Sequence, residues 1–138
     1  LIKRYHSSRL RKGAFAILPL AMIRSELFDD IYFSAEDGLA ETRHVFLRGN
    51  NLPAAWAGRP VFTVCETGFG TGLNVLALWD LFERARAPGQ RLQIISLEKY
   101  PLTPAQIRAA LTPWQEEIGA RLERLLALYP LRIPGAHR

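Results

Sequence analysis

A chain of 138 residues, 49% of them apolar and 22% charged, has the balance of one globular domain, which excludes wholesale disorder. Its longest apolar run, Ala14 to Ile23, is broken by Pro19 and falls well short of the ~20 residues of a membrane helix, and a single cysteine, Cys65, excludes an internal disulfide or a cysteine-cluster metal site. The formal charge of +5 is uneven: residues 1–24 hold Lys3, Arg4, Arg9, Arg11, Lys12 and Arg24 with no acid, whereas residues 25–138 hold 12 bases and 13 acids.

The first 24 residues therefore form a basic segment apart from a nearly neutral body. A basic arm attracts nucleic acid or an anionic membrane, but a solvated tail is the favoured reading. A signal peptide is disfavoured, because no small-x-small cleavage site follows Ile23. The chain opens on Leu1 rather than Met, and residues 1–22 are not expected to be a native start. One cysteine fits a reducing, cytoplasmic setting.

Residues 25–60 read as a β-hairpin region. Phe28 to Ser34 is aromatic and β-branched, Asp37-Gly38 is a turn signal, and Thr42 to Leu47 resumes strand character. Asp29 and Asp30 suit turn chemistry. Loops follow at Gly49 to Pro53 and Gly58 to Pro60. Val61 to Glu66 is then a continuous apolar run, as for a strand buried on both faces of a parallel sheet. Thr67 to Gly72 is a glycine-rich turn, Leu73 to Arg86 a helix stopped by Pro88-Gly89, and Leu92 to Glu98 a second buried strand. Thr103-Pro104-Ala105-Gln106 and Thr112-Pro113-Trp114-Gln115 both have the form of a capping box with proline at the first helical position. In the second of these helices Ile118, Leu122, Leu125, Leu126 and Tyr129 share one face, Glu117 and Arg121 are spaced to pair, and Pro130 ends the run. Cys65, Trp56, Trp79 and Trp114 are expected in the core. Strand, glycine turn, helix, strand, helix is the opening of a doubly wound α/β sheet, which places a Rossmann-like unit in residues 61–138.

The chemistry concentrates in Glu66-Thr67-Gly68-Phe69-Gly70-Thr71-Gly72, where a strand hands over to a helix. Glycines there permit positive φ and admit a ligand close to the backbone, and the helix start points free N–H groups at it. Dinucleotide folds space their glycines as G-x-G-x-x-G. Here the spacing is G-x-G-x-G with an acid two residues ahead, which suits S-adenosyl-L-methionine: a strand-end carboxylate faces an ammonium group and would repel a pyrophosphate. Glu98, ending the second strand, is placed to accept from ribose hydroxyls, and the plain alternative is a surface pair with Lys99. His44 and His137 lack metal-ligand spacing. Glu41, Thr42 and Arg43 face a ligand only if the hairpin folds over the carboxyl edge of the sheet, which periodicity does not decide.

Several blocks in order resemble one family: Phe28 to Ser34, Gly38 to Leu47, Glu66 to Asn74, Ser96 to Leu102, Tyr129-Pro130 and Pro134 to Arg138. The family is the methyltransferase domain of MnmC, the bifunctional enzyme of 5-methylaminomethyl-2-thiouridine biosynthesis in tRNA, with its stand-alone relatives. The resemblance runs from about Ser25 to Arg138. It implies a class I S-adenosylmethionine-dependent methyltransferase whose partner is tRNA, with the 5-aminomethyl group of the wobble uridine as substrate and no membrane. Gly68, Gly70 and Gly72, with Phe69, Thr71 and Asn74 in the same block, would then form the cofactor turn. Glu66 would lie beside the methionyl end and Glu98 would hold the ribose. The family continues past the His-Arg where this chain stops. The resemblance accordingly implies the first half of a domain, with the catalytic base and later strands beyond Arg138, and with FAD confined to the second domain of the two-domain relatives. The other readings from sequence are half of a dinucleotide-binding oxidoreductase domain, or a non-catalytic fragment.

Overall fold

A computed structural model describes residues 24–25, 30–31 and 38–137. The basic segment up to Ile23 and most of the expected strand Phe28–Ser34 lie outside the described residues. Two short strands, β1 (Arg24–Ser25) and β2 (Asp30–Ile31), pair antiparallel with Arg24 opposite Ile31. A helical stretch follows: α1 (Gly38–Glu41), a π-helical turn over Thr42–Leu47, and 3₁₀ turns at Arg48–Asn50 and Ala54–Trp56. Next come β3 (Val61–Thr67), α2 (Leu73–Ala85), β4 (Arg91–Leu97), α3 (Pro104–Leu111) and α4 (Gln115–Ala127). β3 and β4 run parallel, in a register that sets Val61 against Arg91 and Glu66 against Ser96. The unit is therefore α/β, with a two-stranded parallel sheet and a helical layer.

The strand expected over Thr42–Leu47 is helical instead. Leu39, Thr42 and Leu47 are buried and Phe46 is partly so, offsets of 0, 3, 7 and 8 that follow a helical period. That face packs on α2, and the packing overrides the β preference of Thr42, Val45 and Phe46.

The parallel strands differ from expectation too. Along β3, Phe62, Val64 and Glu66 are half-buried, while Val61, Thr63, Cys65 and Thr67 are exposed. β4 alternates in the same way, leaving Ile95 and Leu97 exposed. The helices cover one face only, so the period-2 geometry of the strand turns every second residue to solvent. Cys65, expected in the core, is on that open face.

The core lies between the covered face and the helices. Trp56 is fully buried, with its ring edge-on to Phe62 at 5.9 Å and to Phe82 at 5.3 Å. Trp114 is buried as expected and Trp79 only partly. Leu76, Ile107, Leu111, Ile118 and Leu122 are sealed from solvent, each worth about 1.5–3 kcal/mol of burial. The α3 start is the expected capping box: the Gln106 N–H donates to Thr103 Oγ1 at 3.2 Å and the Thr103 N–H to Gln106 Oε1 at 2.8 Å.

The second expected box does not form. The Thr112 hydroxyl donates back to the Arg108 carbonyl at 3.1 Å and the residue has helical φ/ψ, so it closes α3 and caps nothing. Thr112–Trp114 is a 3₁₀ turn joining the two helices. The Glu117–Arg121 pair does not form either. Arg121 reaches across to α2, to Asp80 at 3.1 Å and Glu83 at 2.9 Å, and Glu117 is taken by Arg43 at 2.8 Å.

Candidate functional site

The site lies at the carboxyl ends of the two parallel strands. β3 delivers Glu66 and β4 delivers Ser96, direct partners in the register. Ser96 Oγ donates to Glu66 Oε1 at 2.7 Å. Asn74, in the first turn of α2, sets its amide beside the same carboxylate. The other oxygen, Glu66 Oε2, is buried and has no hydrogen-bond partner. Burial pushes the Glu66 carboxyl above the ordinary carboxylate range, Ser96 and Asn74 oppose that rise, and the charge of Glu98 adds to it.

The turn after β3 is held closely. The Gly68 and Phe69 N–H groups both donate to the Leu97 carbonyl, at 2.7 and 3.2 Å, and the Gly72 N–H donates to the Phe69 carbonyl at 2.8 Å. Gly68, Gly70 and Gly72 have φ of 95°, 55° and 78°, the left-handed region that glycine enters without steric cost. A Cβ on Gly68 would meet nothing within 4 Å, so the backbone is open there. At Gly72 a Cβ would lie 2.6 Å from Phe69 Cζ. Phe69 folds over that glycine and packs on Tyr129 with ring centroids 5.8 Å apart. Thr71 is buried.

Glu98 follows β4 and turns inward. Its Oε2 accepts from the Gly70 N–H at 2.9 Å and its Oε1 from the Tyr100 N–H at 2.7 Å. The surface pair with Lys99 does not form; Lys99 Nζ lies over the Tyr100 ring at 5.2 Å. The expectation that the turn presents free N–H groups is corrected at Gly68, Phe69, Gly70 and Gly72, whose N–H groups are all engaged internally. Glu98 is the reason at Gly70, since its carboxylate spans from the end of β4 to the glycine turn.

Glu66, Asn74, Glu98 and the Gly68–Gly72 turn are thus brought together. Sequence reasoning passed over three neighbours. Ser96 is visible once the parallel register is known. Tyr129 was read only as a helix-face residue, yet it packs on Phe69, and burial together with the nearby Glu98 charge raises its phenol above the ordinary value. Thr42 donates from the π-helical turn to Asn74 Oδ1 at 3.2 Å. Its signal was the helical spacing of Leu39, Thr42, Phe46 and Leu47.

The arrangement defines a parallel α/β unit in which a buried carboxylate and a glycine turn meet at the strand ends. No protein-family model matches the chain. Among curated proteins it is similar to the tRNA 5-methylaminomethyl-2-thiouridine biosynthesis bifunctional protein MnmC of Caulobacter sp. (strain K31), 52% identical over 122 residues, which is 85% of this chain and 20% of that protein. The protein of the same name from Chromobacterium violaceum is 51% identical over 118 residues, covering 83% of this chain and 18% of the relative. That of Saccharophagus degradans is 52% identical over 114 residues, covering 80% and 16%. Over most of its length the chain is therefore homologous to one segment of the MnmC proteins, and it spans about a fifth or less of these relatives. Among the described residues no helix is long and apolar enough to cross a membrane.

Proposed function

We propose that the chain is part of a class I, Rossmann-like methyltransferase domain that takes S-adenosylmethionine and acts on tRNA in the cytoplasm. In this reading residues 61–138 carry the cofactor turn and residues 25–60 pack beside it. The observation that carries the reading is Glu66 Oε2, a buried carboxylate oxygen without a donor at the end of a parallel strand. An unpaired buried acceptor is costly, and a cationic ligand group removes that cost. The ammonium of S-adenosylmethionine is such a group, whereas the pyrophosphate of a dinucleotide would meet this oxygen with like charge. The open backbone at Gly68 leaves room for close approach.

The names of the relatives support the chemistry. A 5-methylaminomethyl group differs from a 5-aminomethyl group by one N-methyl, so its biosynthesis calls for a methyl donor. The substrate in this reading is the 5-aminomethyl group of wobble uridine. Glu66 binds and orients the amino-acid end of the cofactor, with Ser96 and Asn74 holding its carboxylate. Glu98 lies where the ribose hydroxyls would reach it, and Gly68, Gly70 and Gly72 with Phe69 and Thr71 shape the turn. When bound, S-adenosylmethionine supplies an electrophilic methyl carbon. An alkylammonium has a pKa near ~10, so the surrounding site must favour the neutral amine and hold its nitrogen in line with that carbon.

Isothermal titration calorimetry with S-adenosylmethionine and with NAD tests the reading. Binding of the first and not the second is expected, and it should be abolished by Gly70→Val, which adds bulk to the turn at a residue of positive φ. Binding of NAD without S-adenosylmethionine, or unchanged S-adenosylmethionine affinity in Gly70→Val, would overturn it.

A further inference from the structure

We propose that Thr42 is a positioning residue for the Glu66 carboxylate, acting through Asn74. The inference rests on the cofactor reading of Glu66 and adds a part of the chain that reading does not use. Thr42 belongs to the π-helical turn, is buried, and donates from Oγ1 to Asn74 Oδ1 at 3.2 Å. An Asn side chain has one acceptor end and one donor end. With Oδ1 engaged by Thr42, the amide NH₂ is the end turned to Glu66, where it favours the ionised carboxylate. Ser96 holds Oε1 from the β4 side. The two contacts fix the carboxylate from both flanks and leave Oε2 as the free acceptor. Without the Thr42 hydroxyl, Asn74 Oδ1 loses its donor and the amide is free to turn over, setting a carbonyl oxygen against a carboxylate.

The groups acting on Glu66 are Ser96 from β4, Asn74 from α2 and the Glu98 charge just past β4. The neighbours of Thr42 are directed elsewhere: Glu41 is exposed and Arg43 pairs with Glu117 on α4. The segment ahead of the sheet thereby sets the ligand-facing acid through one hydroxyl and one amide. Thr42 touches no reacting atom, so the role is one of orientation.

The test follows the Glu66 carboxyl by ¹³C NMR titration in the wild type, Thr42→Val, Thr42→Ser, Asn74→Ala and the Thr42→Val/Asn74→Ala double variant, with S-adenosylmethionine calorimetry over the same pH range. Thr42→Val should move the Glu66 midpoint upward and weaken S-adenosylmethionine about three- to tenfold, the range for one hydrogen bond. Thr42→Ser should restore both. Thr42→Val should add no further shift on the Asn74→Ala background, because the effect passes through Asn74. A Glu66 midpoint unchanged in Thr42→Val, or an equal shift with and without Asn74, would overturn the proposal. Should Thr42→Val not fold, Asn74→Ala against Thr42→Ser decides: an unmoved midpoint in Asn74→Ala overturns it. Absence of S-adenosylmethionine binding by the wild type would overturn the cofactor reading, while the titration still decides the role of Thr42.

Discussion

Replacing Gly72 by alanine puts two separate costs on the turn. Its φ of 78° lies in the left-handed region, where an L side chain costs roughly 1–2 kcal/mol. The added Cβ would also lie 2.6 Å from Phe69 Cζ, 3.0 Å from Cε1 and 3.3 Å from Leu125 Cδ2. The Phe69 ring can swing away, but it then gives up its packing on Tyr129, about 0.5–1.5 kcal/mol for an aromatic pair. Gly72→Ala should therefore destabilise the fold by about 1.5–3.5 kcal/mol, read as a lower urea midpoint at unchanged slope. Phe69→Ala removes the clash but leaves the backbone strain. In a double-mutant cycle the two substitutions should couple by about 0.5–1.5 kcal/mol, with the double variant less destabilised than the sum. A cost below about 0.5 kcal/mol for Gly72→Ala, or no coupling, would refute the argument that Phe69 occupies the space this glycine leaves.

Three further outcomes are expected. Glu98→Ala frees the Gly70 and Tyr100 N–H groups and removes a charged acceptor, so calorimetry should show S-adenosylmethionine affinity lower by about 1.5–3 kcal/mol. The Glu66 carboxyl is raised in the fold, so the folded chain holds that proton to higher pH than the unfolded one; its contribution to stability is greatest below the unfolded pKa and declines as pH rises through the folded one. Urea titrations across pH should show that decline in the wild type and lose it in Glu66→Gln, whereas binding of a cationic ligand should strengthen over the same rise. Arg121, only 21% exposed, spans Asp80 and Glu83, and Arg121→Ala should cost about 1–2 kcal/mol in thermal unfolding, between the values for exposed and buried pairs. Arg108→Ala, which breaks the exposed pair with Glu123, serves as the control expected to leave the midpoint in place.

Local chemistry alone made the strand–glycine turn–helix unit legible. Val61 to Glu66 is β-branched and apolar, three glycines fall where the backbone takes positive φ, and the Thr103–Gln106 box marks a helix start that forms as read. These signals act over a few residues, so no partner is needed to interpret them. The same holds for the grouping of Glu66, the turn and Glu98, because parallel strands joined by a helix bring their carboxyl ends together.

What depends on distant partners was decided only in three dimensions. Thr42–Leu47 has strand-like composition, but its apolar side finds α2 and the segment winds into a helix. Thr112 has the residues of a cap, yet α3 is close enough to take its hydroxyl. Arg121 has a partner one turn away at Glu117, but α2 presents two acids across the helix interface and Arg43 claims Glu117. Cys65 reads as core until the helices prove to cover the opposite face of β3. In each case several local partners were chemically adequate, and packing selected among them by bringing one group within hydrogen-bond reach and leaving the others in water.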